Sequence, residues 1–297
     1  MTDRVRTSIA AAAPMVVADS GDAELIQLWI DSHRKSAKTR AQYRRVADRL
    51  CAWMAANTTA LPRLTLRELL DFAETLADMA PNSQKAILSA VKSLLTFAQK
   101  TGYCQYNVGA ALEVAKTKNT LAARILSEEQ VLRMIAAEPD AQKQLIIRML
   151  YATGGRVSEL CGLTWRDAVA NGDAGQLTLL GKGGVTRVVL LSRATWQVLS
   201  SSRPADASPD APIVRSRTGK PLARSWIWGV VKAAAVRAGL PDGVSPHWMR
   251  HAHISHALDR GAPAHLVKAT VGHASLETTS AYAHARPSDS SARYLPI

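Results

Sequence analysis

Apolar residues recur at helical spacing from Asp22 to about Lys116, and no stretch of that half alternates as a strand would. Leu25, Leu28 and Trp29 open the pattern. From Thr39 to Ala56 it places Tyr43, Val46, Leu50 and Trp53 on one face, with Arg40, Arg44, Arg45 and Arg49 on others. A third helix is predicted over Thr65 to Met79. A fourth runs from Asn82, read as the N-cap, to Lys100, with Gly102 as its C-terminal stop. Four or five such helices make a bundle.

The stripe is lost in the basic, polar run KTKNTLAARIL between Lys116 and Leu126, and Ser127 with Gln130 then forms the capping-box pair of a new helix. The predicted organisation is a flexible tail over 1–21, a helical domain over 22–116, a linker over 117–126 and a second domain over 127–297. In the second domain helices are expected over Glu128–Ala137, Ala141–Tyr151 and Val157–Cys161. Two segments rich in β-branched and leucine residues follow, Gln176–Leu180 and Thr186–Leu191, joined by a GKGG turn with Lys182 at its tip. Helices resume over Arg193–Ser202, Arg224–Ala238, Pro246–Arg260, Pro263–Val271 and Ser275–Ala283. The fold class expected is mainly α with a small antiparallel sheet, an α+β arrangement.

Composition narrows the partners. Lys and Arg number 37 against 24 Asp and Glu, a net charge of +13, which favours a polyanion such as nucleic acid or an acidic membrane surface. The excess is spread along the chain, with 15 basic against 11 acidic side chains through Lys116 and 22 against 13 beyond it. No run approaches the roughly 18 to 20 apolar residues of a membrane span. Cys51, Cys104 and Cys161 are odd in number and far apart, which fits neither a disulfide framework nor a zinc site and suits a reducing cytoplasm.

Seven of the eight histidines lie between His247 and His284. His247 and His251, four residues apart, have metal-like spacing, but the stretch lacks the glutamate of H-E-x-x-H and any nearby cysteine, so no metal is expected. His247 and Arg250 instead sit one turn apart, able to converge on a phosphate. Gly272-His273 adds a third polar group, and Tyr282 follows nine residues after His273.

These pieces together resemble the tyrosine recombinase family of phage integrases, Xer-type resolvases and Cre-like enzymes. The resemblance rests on Thr153-Gly154-Gly155-Arg156-Val157-Ser158-Glu159-Leu160, on Lys182 in GKGG, on His247-x-x-Arg250-His251, on Gly272-His273, and on Tyr282 with His284, in that order. It covers roughly Leu126 to Leu295. Gly155 departs from it, standing where the family usually has a larger apolar residue. The first half resembles the family's DNA-clamping core-binding domain by pattern alone.

The resemblance implies a site-specific recombinase that cuts and rejoins DNA through a covalent 3′-phosphotyrosine, in integration, excision or resolution, with neither metal nor ATP as cofactor. Tyr282 is then the nucleophile. Arg156 and Arg250 are the paired donors to the phosphate, because a guanidinium offers a fork that lysine lacks. Lys182 is the acid that protonates the leaving 5′ oxygen. His247 and His273 bind the phosphate or manage the tyrosine proton, a division left open, and Glu159 orients a partner. The implied partners are double-stranded DNA target sites, further copies of the chain in a tetramer that forms a Holliday junction, and an accessory directionality factor, in a cytoplasmic, nucleoid-associated setting. Arg40, Arg44, Arg45, Arg49, Lys85 and Lys92 are candidate backbone contacts, and Ser89 shares the face of the last two. Arg187 either assists at the phosphate or balances the hairpin. Trp226 and Trp228 read as core. A type IB topoisomerase, and a catalytically silent DNA-binding protein, are the competing readings.

Overall fold

A computed structural model describes residues 21–33, 37–114, 120–181 and 183–283. The chain divides into two compact units, Met1–Lys118 and Asn119–Ile297. Tail residues 1–20, linker residues 117–119, Lys182 and residues 284–297 lie outside the described residues.

In the first unit, four helices surround one apolar core: α1 (Asp22–Ser32), α2 (Ala37–Ala56), α3 (Leu66–Glu74) and α4 (Pro81–Lys100). Trp29 of α1 stacks flat on Tyr43 of α2 at 4.5 Å between ring centroids, and Leu25, Leu50, Leu69 and Leu94 fill the centre. Asp22 ties the helical layers together, accepting the Leu61 amide at 3.0 Å and the Tyr103 hydroxyl at 2.7 Å. Two expected helix ends are corrected. The α4 helix starts at Pro81 with Ala80 as its N-cap, displacing Asn82, because proline's fixed φ and missing N–H suit the first helical position. Helix α3 is shorter than expected. Thr65 is its N-cap, in a reciprocal capping box with Glu68, and the chain leaves the helix after Glu74 in turns that reach Met79.

The second unit is α+β. Helices α5 (Glu128–Ala136), α6 (Ala141–Thr153) and α7 (Val157–Cys161) precede a sheet of β1 (Ala168–Asn171), β2 (Ala174–Leu180) and β3 (Thr186–Leu191). Helices α8 (Arg193–Ser201), α9 (Arg224–Arg237), α10 (Pro246–Asp259), α11 (Ala264–Val271) and α12 (Leu276–Ala283) complete it. Apart from α3, the helices begin and end within two residues of the expected positions. The sheet is antiparallel in the order β1-β2-β3, so it has one strand more than expected. Strand β1 pairs with β2 around Gly172, through the register Val169↔Gln176 and Asn171↔Ala174. Its side chains are mostly exposed, so no apolar alternation marks it in the sequence.

Leu177, Leu179, Val189 and Leu191 turn one face of the sheet into a core shared with α6 and with Ile227, Val230, Val231 and Ala234 of α9. That α9 stripe decides the fate of its tryptophans. Trp226 and Trp228 flank it and stay 39% and 47% exposed, correcting the expectation that they are core residues. Among the described residues the three cysteines are free, and no helix is long and apolar enough to cross a membrane.

Candidate active site

Two turns and the helix α10 place the polar residues of the site in the second unit. The first closes α6. Thr153 Oγ1 donates back to the Met149 carbonyl at 2.7 Å and accepts the Gly155 amide at 3.0 Å. Between them Gly154 is left-handed at φ 56°, where a Cβ would lie 2.6 Å from the His253 ring. Only glycine meets both conditions without strain. The turn aims the Gly154 carbonyl at Arg250 Nη1, which donates to it at 2.7 Å. Gly155 has a steric reason as well: a Cβ there would approach Thr153 Oγ1 to 3.0 Å and Leu179 Cδ1 to 3.4 Å.

Arg156 and Glu159 open α7 as a local pair. The Glu159 carboxylate accepts the Arg156 amide at 2.7 Å and its Nη1 at 3.0 Å, while Arg156 Nη2 donates to the Gly272 carbonyl at 3.3 Å. The Glu159 side chain is 1% exposed. Its other partner is Arg187 of β3, whose Nη1 and Nη2 donate to the two carboxylate oxygens at 3.0 and 2.6 Å, and whose Nε donates to the Thr270 carbonyl at 2.6 Å. Burial by itself would raise the Glu159 carboxyl, yet the hydrogen bonds of Arg187 and Arg156 and the charge of Arg187 hold it below its ordinary value. Arg187 thus turns inward as a support for Glu159 and joins β3 to the end of α11.

Helix α10 presents His247, Arg250 and His251 within five residues. Arg250 is buried, and burial together with the Arg156 charge pushes its guanidinium down to about 10. Its Nη2 is buried and has no hydrogen-bond partner among the described residues. A buried charged donor left unsatisfied is costly, typically about 1–3 kcal/mol or more, unless a ligand completes it. His247 is lowered by burial and by the charges of Arg250 and Arg156.

Gly272 ends α11 in the left-handed region at φ 68° and passes the chain to His273, whose Nδ1 lies 2.9 Å from the buried Thr279 Oγ1 of α12. Burial and the neighbouring arginines push His273 down to about 4. Tyr282, also on α12, is 6% exposed and packs with Ile125, Ile254, Val267 and Val271. Its ring lies between those of His273 and His251, at centroid distances of 6.2 and 5.6 Å, and its hydroxyl is 2.7 Å from His251 Nδ1. Burial raises the phenol, opposed by the charge of Arg250.

The fold thus brings Arg156, Glu159, His247, Arg250, His273 and Tyr282 together. Lys182 and His284 lie outside the described residues, although the turn carrying Lys182 is closed by the Gly181 amide on the Val185 carbonyl at 2.7 Å. Sequence reasoning gave no role to His251 or Thr279. The position of His251 directly after Arg250 and four residues after His247 was the available signal. No group of three His, Cys, Asp or Glu side chains able to hold a metal occurs among the described residues.

In the first unit Arg40, Arg44, Arg45 and Arg49 line the exposed side of α2. Arg44 bonds Gln27, Arg45 Nε donates to the Ala41 carbonyl at 3.3 Å, and Arg49 contacts Met79 Sδ at 2.9 Å. On α4, Lys85 and Ser89 are exposed, whereas Lys92 is half-buried with its ammonium on the Leu112 carbonyl.

A guanidinium with one unsatisfied nitrogen, a second arginine and imidazoles around a buried phenol make a site suited to an anion with a phenolic hydroxyl beside it. Residues 124–289 match the phage integrase family. The chain is 30% identical over 258 residues to the tyrosine recombinase XerC of Xanthomonas campestris pv. campestris, covering 84% of this chain and 79% of that relative. The chain belongs to the phage integrase family and is a tyrosine-type site-specific recombinase. Its fold is similar to that of the XerH site-specific recombinase bound to palindromic difH substrate in a post-cleavage complex, with a TM-score of 0.73 at 17% identity, covering 89% of this chain and 81% of that one. It is also similar to a lambda integrase tetramer bound to a Holliday junction, with a TM-score of 0.69 at 19% identity, covering 86% and 78%.

Proposed function

We propose that this recombinase attacks a DNA phosphodiester with Tyr282, forming a 3′-phosphotyrosine and releasing a 5′ hydroxyl, and that the reverse attack by a 5′ hydroxyl rejoins strands. The observation that carries the reading is Arg250: a buried cation with an unpartnered Nη2, on the helix that also meets the Tyr282 hydroxyl. A non-bridging phosphate oxygen supplies the missing acceptor. Arg156, held by Glu159 and Gly272, offers its guanidinium to the same phosphate and is about one-third exposed, as a group that meets an incoming ligand must be. As charge builds on the five-coordinate phosphorus, both guanidiniums stabilise it more than they stabilise the ground state.

His247 and His273 are neutral near pH 7, because burial and the arginines lower both, so each can donate its one ring N–H to a phosphate oxygen without adding charge. Lys182, on the β2–β3 turn, protonates the leaving oxygen. The phosphotyrosine ester retains the energy of the phosphodiester it replaces, so religation needs neither nucleotide nor metal.

The basic face of α2 and Lys85 of α4 hold the DNA backbone as the clamp half of the enzyme, and the active species is a tetramer working through a Holliday junction. The lambda integrase tetramer bound to a Holliday junction supports this assembly by likeness of fold. The test is to express the chain in bacteria, denature the lysate, recover protein that stays bound to DNA, and sequence the attached DNA. Wild type should yield one enriched site joined to Tyr282, and Tyr282→Phe should yield none. Absence of any adduct from wild type, or an undiminished one from Tyr282→Phe, refutes the reading.

A further inference from the structure

His251 belongs to no role in the proposed chemistry, yet its Nδ1 is the atom that meets the nucleophile's hydroxyl, at 2.7 Å. We propose that His251 is the positioning residue for Tyr282: it accepts the phenolic hydrogen bond at Nδ1 and holds the oxygen at the edge of the Arg156–Arg250 site. The inference rests on Tyr282 being the nucleophile.

The apolar contacts of Tyr282, with Ile125, Ile254, Val267 and Val271, grip the body of the ring and leave its oxygen to be placed by a polar partner. His273 flanks the same ring, but its Nδ1 is occupied by Thr279 Oγ1, so it braces the phenol from the side. His251 is adjacent to Arg250 on α10. One helix therefore holds both reactants, the phosphate through Arg250 and the attacking oxygen through His251, and the rigid spacing of α10 sets the distance between them.

A role as the proton acceptor is disfavoured. Burial, and the charges of His247, Arg124 and Arg250, push the His251 imidazole down to about 4, while burial raises the phenol above its ordinary value. Both shifts run against moving the proton from phenol to imidazole. The ring accepts a hydrogen bond and does not take the proton.

Two amide variants separate the readings, because the Asn Oδ1 falls near the position of His Nδ1 and the Gln Oε1 near that of Nε2. His251→Asn and His251→Gln are compared with wild type on a nicked duplex carrying the site recovered by adduct capture, with duplex binding and single-turnover adduct formation measured separately. In addition, 3-fluorotyrosine at position 282 reports the hydroxyl's hydrogen bond by fluorine NMR. Binding should stay within about twofold in both variants. His251→Asn should form the adduct within roughly threefold of wild type with an unchanged fluorine shift, and His251→Gln should be slower by about ten- to a hundredfold with a displaced one, the scale of a small misplacement of a reacting group. Equal rates for the two variants, whether both fast or both slow, overturn the proposal, as does a fluorine shift that neither variant moves. A wild type that forms no adduct refutes the nucleophile reading instead.

Discussion

Replacing Glu159 with glutamine removes one negative charge from between two guanidiniums while keeping the side chain's size. The carboxylate accepts four hydrogen bonds, two at Oε1 from Arg156 Nη1 and Arg187 Nη1, and two at Oε2 from the Arg156 amide and Arg187 Nη2. A glutamine can turn its oxygen to only one of those pairs, and its NH₂ then confronts two donors at the other. Breaking a buried ion pair from one side costs about 3–5 kcal/mol, because the partner charge stays buried and unpaired. Arg187, at 11% side-chain exposure, cannot turn to water to recover the loss. We expect Glu159→Gln to lose about 4 kcal/mol and, for a unit of this size, to melt roughly 10 °C lower. The assay is urea and thermal unfolding of wild type, Glu159→Gln, Arg187→Met and the double variant. The double variant, with both charges gone and the volume kept, should be more stable than the sum of the single losses implies. A loss below about 1 kcal/mol in Glu159→Gln, or strict additivity with Arg187→Met, would refute the reasoning.

Arg250→Lys keeps the charge but removes the fork that serves Gly154 and the phosphate at once, so single-turnover adduct formation should fall about 100- to 1000-fold; a fall of less than threefold contradicts the assignment. Two half-buried histidines predict an acid-sensitive fold. His251 and His273 titrate near 4 when folded but near 6.5 when unfolded, so between those values the unfolded chain binds more protons and stability drops as pH falls. The drop should reach roughly 1–2 kcal/mol per ring after allowing for solvent screening. Urea midpoints that stay level from pH 6.5 to 4.5 would contradict it.

The legible parts of this protein were those that depend on neighbours in sequence. Thr65 with Glu68 and Ser127 with Gln130 cap helices through groups three residues apart, and His247 with Arg250 share a helix face for the same reason. The candidate set from Arg156 to Tyr282 could be named from its ordered motifs, and the fold does bring its described members together. What was not legible depends on distant packing. Strand β1 is four residues long and exposed, its one clue being the Asn171-Gly172 turn. Trp226 and Trp228 look like core residues until the α9 stripe of Ile227, Val230 and Val231 takes the inside. The partners of Arg187, Glu159 and Thr270, were not legible because they lie 28 and 83 residues away along the chain. His251 meets Tyr282 only once α10 and α12 are packed.

Each of the three arginines around the site is moored to a main-chain carbonyl on another element: Arg156 to Gly272, Arg187 to Thr270 and Arg250 to Gly154. A carbonyl is present whatever residue carries it, so the alignment depends on the path of the chain at its moorings, and Gly154 and Gly272 keep that path through their left-handed φ. Insertions and deletions change that path. One residue added between Thr153 and Arg156, or removed between Thr270 and His273, would shift a mooring along the chain and turn a guanidinium away with every arginine still in place. The reach of this enzyme's chemistry is thus encoded partly as loop length.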